Sequence, residues 1–132
     1  MFKYLQNDVH VEKAGQKGQG VFANRDFNVG EIIISSNLES IVSQRTAYTF
    51  EYLENHIIID KPGNLVNHSC EPNAMLTKNL NYAYDFVACR YIKSGDEITW
   101  DYLSIEKEIV GFEECICDAI KCRKNLKLQL LK

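Results

Sequence analysis

Asn64-Leu65-Val66-Asn67-His68-Ser69-Cys70-Glu71-Pro72-Asn73 is the stretch on which the reading of this chain turns. By its chemistry it is a polar turn between apolar segments. Pro72 fixes one backbone torsion and removes a donor, while Asn67, Ser69 and Asn73 carry short side chains that bond nearby backbone. A loop held in this way is rigid, and rigid loops on a scaffold often carry function. An ordinary tight connection has the same composition, so the remainder of the chain decides between the two.

Outward from that stretch the chain reads as short strands. Asp8 to Glu12 alternate like an edge strand, and Gly15, Gly18 and Gly20 mark a loop that needs unusual torsions or close backbone approach. Val21-Phe22-Ala23 begins a strand, Asn28-Val29-Gly30-Glu31 is a turn, and Ile32-Ile33-Ile34 is a strand after it. The pattern weakens from Leu38 to Ile59, where Ile57-Ile58-Ile59 is a β-branched run ended by Asp60-Lys61-Pro62-Gly63. Ala74 to Thr77 and Tyr82 to Arg90 read as strands around Asn79-Leu80-Asn81; Lys93-Ser94-Gly95-Asp96 is a turn, and Glu97 to Tyr102 is extended. Ser104 to Glu114 fits a short helix or an irregular connection. Leu126-Lys127-Leu128-Gln129-Leu130 fits a strand or one helical turn; core packing is its default role and a homodimer contact the alternative. Many short strands with scarce helix, and no repeat or linker, make a mostly β domain.

The 132 residues fit one domain, and a chain of this length buries roughly two-thirds of its unfolded surface. No apolar run approaches the roughly 20 residues that cross a bilayer, and Met1 to Asp8 lack the apolar core of a signal peptide. An intracellular protein is expected. Fifteen basic against eighteen acidic residues give a net charge of −3, which argues against a general nucleic-acid binder; from the lack of a long apolar run, no membrane association is expected. The five cysteines would leave one unpaired in a disulfide scaffold. Cys89, in the apolar run Phe86-Val87-Ala88-Cys89, reads as a buried thiol; Cys70, Cys115, Cys117 and Cys122 suit a metal site in a reducing compartment.

Two further segments give the central stretch its meaning. Lys17-Gly18-Gln19-Gly20-Val21-Phe22-Ala23 precedes it, and Gly95-Asp96-Glu97-Ile98-Thr99-Trp100-Asp101-Tyr102 follows. In that order the three resemble the signature motifs of the SET-domain lysine methyltransferases, and Cys115-Ile116-Cys117 with Cys122 resembles the post-SET zinc motif of that family. The resemblance runs from about Lys17 to Leu126. The Asn-His-Ser-Cys run with Pro72 and Asn73 is highly specific, the Asp-Tyr ending moderately so, and the glycine pair alone is weak. It implies a fold of several small curved sheets with a C-terminal pseudoknot: a SET domain over residues 1–103 and a post-SET zinc-binding segment and tail over 104–132, together one structural unit. With no pre-SET cysteine cluster and a short middle insertion, the chain reads as close to a minimal catalytic domain.

The resemblance also implies S-adenosylmethionine as methyl donor, leaving S-adenosylhomocysteine. Lys17, Gly18 and Gln19 match positions whose main chain lines that cofactor. Asn67 and His68 match its central contacts: the asparagine amide suits the ammonium and carboxylate of the methionine moiety, and the histidine contacts adenine through its backbone, so His68 is not expected to be a general base. A tyrosine of the middle segment, Tyr48 or Tyr52, lies near the cofactor carboxylate in such proteins. Phe112 and Ile116 are candidates to cover the adenine, or are ordinary core.

Tyr102 matches the catalytic tyrosine of the family. The chemistry implied is attack of a lysine amine on a sulfonium methyl. A lysine with a pKa of about 10.4 is almost wholly protonated at neutral pH, so a narrow apolar channel that disfavours the ammonium is needed, with alignment supplying most of the rate. Trp100 stands on the substrate channel where relatives carry phenylalanine or tyrosine, and its bulk favours mono- or dimethyl products. Cys70, Cys115, Cys117 and Cys122 would hold one structural zinc ion in a four-thiolate site. The substrate class is a lysine-containing protein, a histone tail by analogy, with a nuclear location if the target is chromatin and a cytoplasmic one otherwise. The competing readings are a non-catalytic SET-like module that binds peptide or cofactor, and a small zinc-dependent interaction domain. Intact Asn67, His68 and Tyr102 favour the enzyme over both.

Overall fold

β-Branched and aromatic side chains at alternate positions build short strands wherever turn residues interrupt them. The computed structural model describes residues 8–44, 46, 49–104 and 122. Ten strands occur among them: β1 (Val9–Lys13), β2 (Gln19–Ala23), β3 (Ile32–Ser35), β4 (Leu38–Val42), β5 (Phe50–Tyr52), β6 (Asn55–Ile59), β7 (Asn67–His68), β8 (Ala74–Lys78), β9 (Tyr84–Ala88) and β10 (Glu97–Trp100). Single 3-10 turns stand at Gly15–Lys17, Gly63–Leu65 and Tyr102–Ser104. The strands form three small sheets, ordered β1-β2-β10-β7, β3-β9-β8 and β4-β6-β5. Among the described residues no helix is long and apolar enough to cross a membrane.

Each strand follows its surroundings. β1 is an edge strand and buries only Val9; its outer positions carry His10, Glu12 and Lys13, charges that discourage pairing with another chain. β9 lies between two neighbours and alternates, with Tyr84, Phe86 and Ala88 inward. β10 does not alternate: Ile98, Thr99 and Trp100 are all buried, as expected of a strand covered on both faces. The core joins Val21, Ile33, Ile57, Ile59, Phe86 and Ile98 from all three sheets with Phe27 and Ile92, which pair in an isolated bridge. Burying a side chain such as Phe86 stabilises by about 1.5–3 kcal/mol.

Several sequence expectations hold with adjusted limits. β2 begins two residues before Val21, and the second strand of the 74–88 hairpin is shorter than Tyr82 to Arg90. The hairpin turn is held by Asn79, whose Oδ1 accepts the N–H groups of Asn81 (2.9 Å) and Ala83 (3.1 Å). The weakly patterned region from Leu38 to Ile59 is the sheet β4-β6-β5, whose β4 is mostly exposed and so lacks the apolar alternation that would announce it. The extended segment from Glu97 stops at Trp100, and Tyr102 opens a 3-10 turn. Cys89 is exposed, contrary to the expected buried thiol. Ala88 takes the inward position, so the next side chain faces outward; there Cys89 Sγ donates to Pro72 O at 3.6 Å. The segment Ser104 to Glu114 beyond its first residue, and the tail Leu126 to Leu130, lie outside the described residues.

Candidate active site

The stretch 64–73 and the strand β10 interlock. β7 runs parallel to β10, with Asn67 opposite Thr99 and His68 opposite Trp100. The Ser69 N–H donates to Trp100 O at 3.0 Å and extends this pairing. Asn73, buried, serves β10 as a substitute strand: its Oδ1 accepts the Thr99 N–H at 2.9 Å and its Nδ2 donates to Glu97 O at 2.8 Å. Its own carbonyl accepts the Cys89 N–H at 2.9 Å. Between these anchors Ser69 Oγ accepts the Glu71 N–H at 3.0 Å, and Arg90 donates to the carbonyls of Glu71 (3.0 Å) and Pro72 (3.2 Å). The loop is therefore hydrogen-bonded along its length, in keeping with its composition.

On one side of this junction lie Lys17, Gly18 and Gln19. Gly18 has φ +82°, with open space where a Cβ would stand, so its backbone is accessible to a ligand. Lys17 turns its side chain inward to an ion pair with Glu97. The Asn67 Nδ2 donates to Gln19 O at 2.8 Å and to Glu97 Oε2 at 2.9 Å. Gly20 leaves room beneath them: an added Cβ would lie 2.7 Å from Glu97 Oε2 and 3.1 Å from Asn67 Nδ2 and would displace these side chains.

On the other side lie His68, Trp100 and Tyr102. The His68 Nδ1 accepts the Tyr102 N–H at 3.0 Å, which makes Nε2 the protonated nitrogen in the neutral ring; Nε2 then faces Cys70 Sγ at 3.4 Å. Asp101 Oδ1 stands 3.7 Å from His68 Nδ1, and the His68 and Tyr102 rings meet edge to face at 5.1 Å. Trp100 is buried, stacked on Phe50 at 5.1 Å, in contact with Tyr102 at 4.7 Å, and its indole N–H donates to Val66 O at 3.3 Å. Tyr102 is half-buried against this aromatic group.

The sequence candidates Lys17, Gly18, Gln19, Asn67, His68, Trp100 and Tyr102 thus converge on the junction of two chain segments. Tyr52 lies on β5, edge-on to Tyr84 at 5.5 Å; Tyr48, Phe112, Ile116, Cys115 and Cys117 lie outside the described residues. Cys70 and Cys122 are half-buried, and no group of three or more metal-ligating side chains occurs among the described residues. Glu97 and Phe50 are contributors that sequence reasoning missed, and Asn73, expected to bond nearby backbone, bonds the distant strand β10 instead. A glutamate opening the otherwise buried Ile-Thr-Trp run was the signal for Glu97.

Three small sheets, with a loop and a late strand interlocked beside a half-buried tyrosine, define a β domain whose candidate site lies where distant segments cross. The SET domain family model matches residues 18–103, and the chain belongs to that family. It is 30% identical to the histone-lysine N-methyltransferase trithorax of Drosophila virilis over 89% of this chain and 4% of that protein. It is 29% identical to the histone-lysine N-methyltransferase SETD2 of Mus musculus over 90% of this chain and 6% of that protein. The chain therefore spans a small part of the length of these curated relatives. The crystal structure of KRYPTONITE in complex with mCHG DNA and SAH superposes with a TM-score of 0.70 at 23% identity, covering 89% of this chain and 28% of that one, a likeness of fold.

Proposed function

We propose that this chain is an S-adenosylmethionine-dependent protein-lysine N-methyltransferase with a histone tail as its substrate class. The observation that carries the reading is the bond from the Tyr102 N–H to His68 Nδ1, which ties the tyrosine to the Asn67-His68 strand. Histone-lysine methyltransferase relatives support the substrate class, and with it a nuclear location.

The residues fit the cofactor by their chemistry. Gly18 offers open backbone, and Asn67 Oδ1 accepts no hydrogen bond among the described residues. When bound, S-adenosylmethionine supplies an electrophilic methyl group on a sulfonium. The chain supplies orientation and a low-water environment. His68 and Trp100 fix the position of Tyr102, whose phenol holds the incoming amine in line by hydrogen bonding. The apolar group of Trp100 and Phe50 behind Tyr102 disfavours a lysine ammonium and so promotes the neutral, nucleophilic amine. Cys70 with Cys115, Cys117 and Cys122 would hold a structural zinc ion, a donor set of four thiolates suited to that metal. The His68 Nε2 beside Cys70 Sγ is a fitting donor to a thiolate.

The test is mass spectrometry of histones and lysine peptides incubated with S-adenosylmethionine and the protein, beside Tyr102→Phe. The expected result is a methyl mass gain that the variant loses while remaining folded. A folded Tyr102→Phe protein of full activity removes the catalytic assignment. Cofactor binding with no transfer to any of these substrates favours the non-catalytic module.

A further inference from the structure

Glu97 stands at the start of β10 with two donors on one carboxylate: the Lys17 ammonium on Oε1 and the Asn67 amide on Oε2. The Lys17 and Glu97 side chains are only 20% and 16% exposed, so the pair is shielded from competing water. The second hydrogen of Asn67 Nδ2 goes to the carbonyl of Gln19. Both partners of this amide are acceptors, a carboxylate and a carbonyl. The amide therefore has one permitted orientation: its nitrogen faces Glu97 and Gln19, and Oδ1 faces away. Among the described residues that oxygen has no donor.

We propose that Glu97 is a positioning residue, which locks the Asn67 amide so that its carbonyl oxygen is presented to the ammonium of the cofactor's methionine moiety. Lys17 balances the carboxylate, so Glu97 orients Asn67 without adding a net negative charge beside the cofactor carboxylate. Gly20 completes the arrangement by leaving room for both groups. The inference rests on the methyltransferase reading for its ligand, but the lock itself is a property of the chain alone.

Glu97→Gln keeps the size of the side chain and removes one of the two acceptors that fix the amide. With its oxygen on Lys17, the new amide turns its N–H groups toward Asn67 and favours the reversed orientation against the Gln19 carbonyl, so a share of the molecules presents N–H groups, which repel an ammonium. Calorimetry with S-adenosylhomocysteine and with 5′-methylthioadenosine, which lacks the amino-acid end, separates orientation from folding. The expected result is about tenfold weaker binding of S-adenosylhomocysteine, the loss of roughly one charge-assisted hydrogen bond, with 5′-methylthioadenosine binding unchanged. Equal weakening of both ligands, or no weakening of either, overturns the proposal. A ligand-free readout is the Asn67 side-chain amide in nitrogen-proton NMR spectra. Its exchange with solvent is slow in the wild type and accelerates in Glu97→Gln; unchanged exchange also overturns the proposal. Failure of the wild type to bind S-adenosylhomocysteine counts instead against the methyltransferase reading, and the amide signal then judges the lock separately.

Discussion

Replacing Asn73 by alanine tests how the central loop is attached to β10. The side chain is 6% exposed and makes two hydrogen bonds to β10 backbone, accepting from the Thr99 N–H at 2.9 Å and donating to Glu97 O at 2.8 Å. Alanine leaves both backbone groups without these partners. An unsatisfied buried group costs about 1–3 kcal/mol, so two cost about 2–6 kcal/mol; with some water entering beside the half-exposed loop, about 3 kcal/mol is expected. In a domain of this size each kcal/mol moves the melting temperature by about 3–5 °C, which places the loss near 9–15 °C. Asn73→Asp is the sharper variant. It retains an acceptor for Thr99 but turns a second carboxylate oxygen toward the Glu97 carbonyl, so it is expected to be no more stable than Asn73→Ala at neutral pH. Urea and thermal unfolding read both effects. A loss below 1 kcal/mol in Asn73→Ala, or an Asn73→Asp protein as stable as wild type, refutes the account of the loop as an auxiliary strand.

Trp100→Phe removes the indole donor to Val66 O and part of the stack on Phe50. It is expected to cost about 1–3 kcal/mol in chemical unfolding and, on the channel reading, to shift products toward higher methyl states. An unchanged product distribution by mass spectrometry takes Trp100 out of that role. Cys115→Ser is expected to abolish stoichiometric zinc in elemental analysis of the purified protein, and zinc retained in full removes Cys115 from the proposed ligand set. His10 is raised above its ordinary value of 6.5, first by its hydrogen bond to Glu12 and then by that to Asn24. Its stabilising contribution is therefore present below 6.5 and lost as pH rises through the folded value. An NMR titration should show a midpoint above 6.5 that falls in Glu12→Gln, and a midpoint insensitive to Glu12 contradicts the assigned cause.

What was legible beforehand was local in the chain. The turn chemistry around Pro72, the β-branched runs at Ile32 and Ile57, and the Asn79 turn depend on neighbours a few residues away, and each stands in the structure near its expected place. The Lys17–Glu97 pair spans 80 residues and the Asn67–Glu97 bond spans 30. Periodicity carries no information about which charged side chains will meet over such separations. The sheet β4-β6-β5 was faint for a different reason: an exposed strand such as β4 has no buried face to impose alternation. Cys89 was misread because an apolar run does not show which of its alternate positions face inward; Tyr84, Phe86 and Ala88 do, and Cys89 follows them outward.

The amino-acid sequence alone determined the mostly β class, the rigid loop at 64–73 and the resemblance that set Asn67, His68 and Tyr102 apart, because residue type and short spacing are sufficient for each. Only the tertiary structure decided that Asn73 serves as a substitute strand, that His68 accepts the Tyr102 N–H, and that Glu97 holds Lys17 and Asn67 together. Those contacts exist because β10 returns between β2 and β7. Burial there makes an unpaired polar group costly, so Asn73, His68 and Asn67 take partners wherever in the chain those lie.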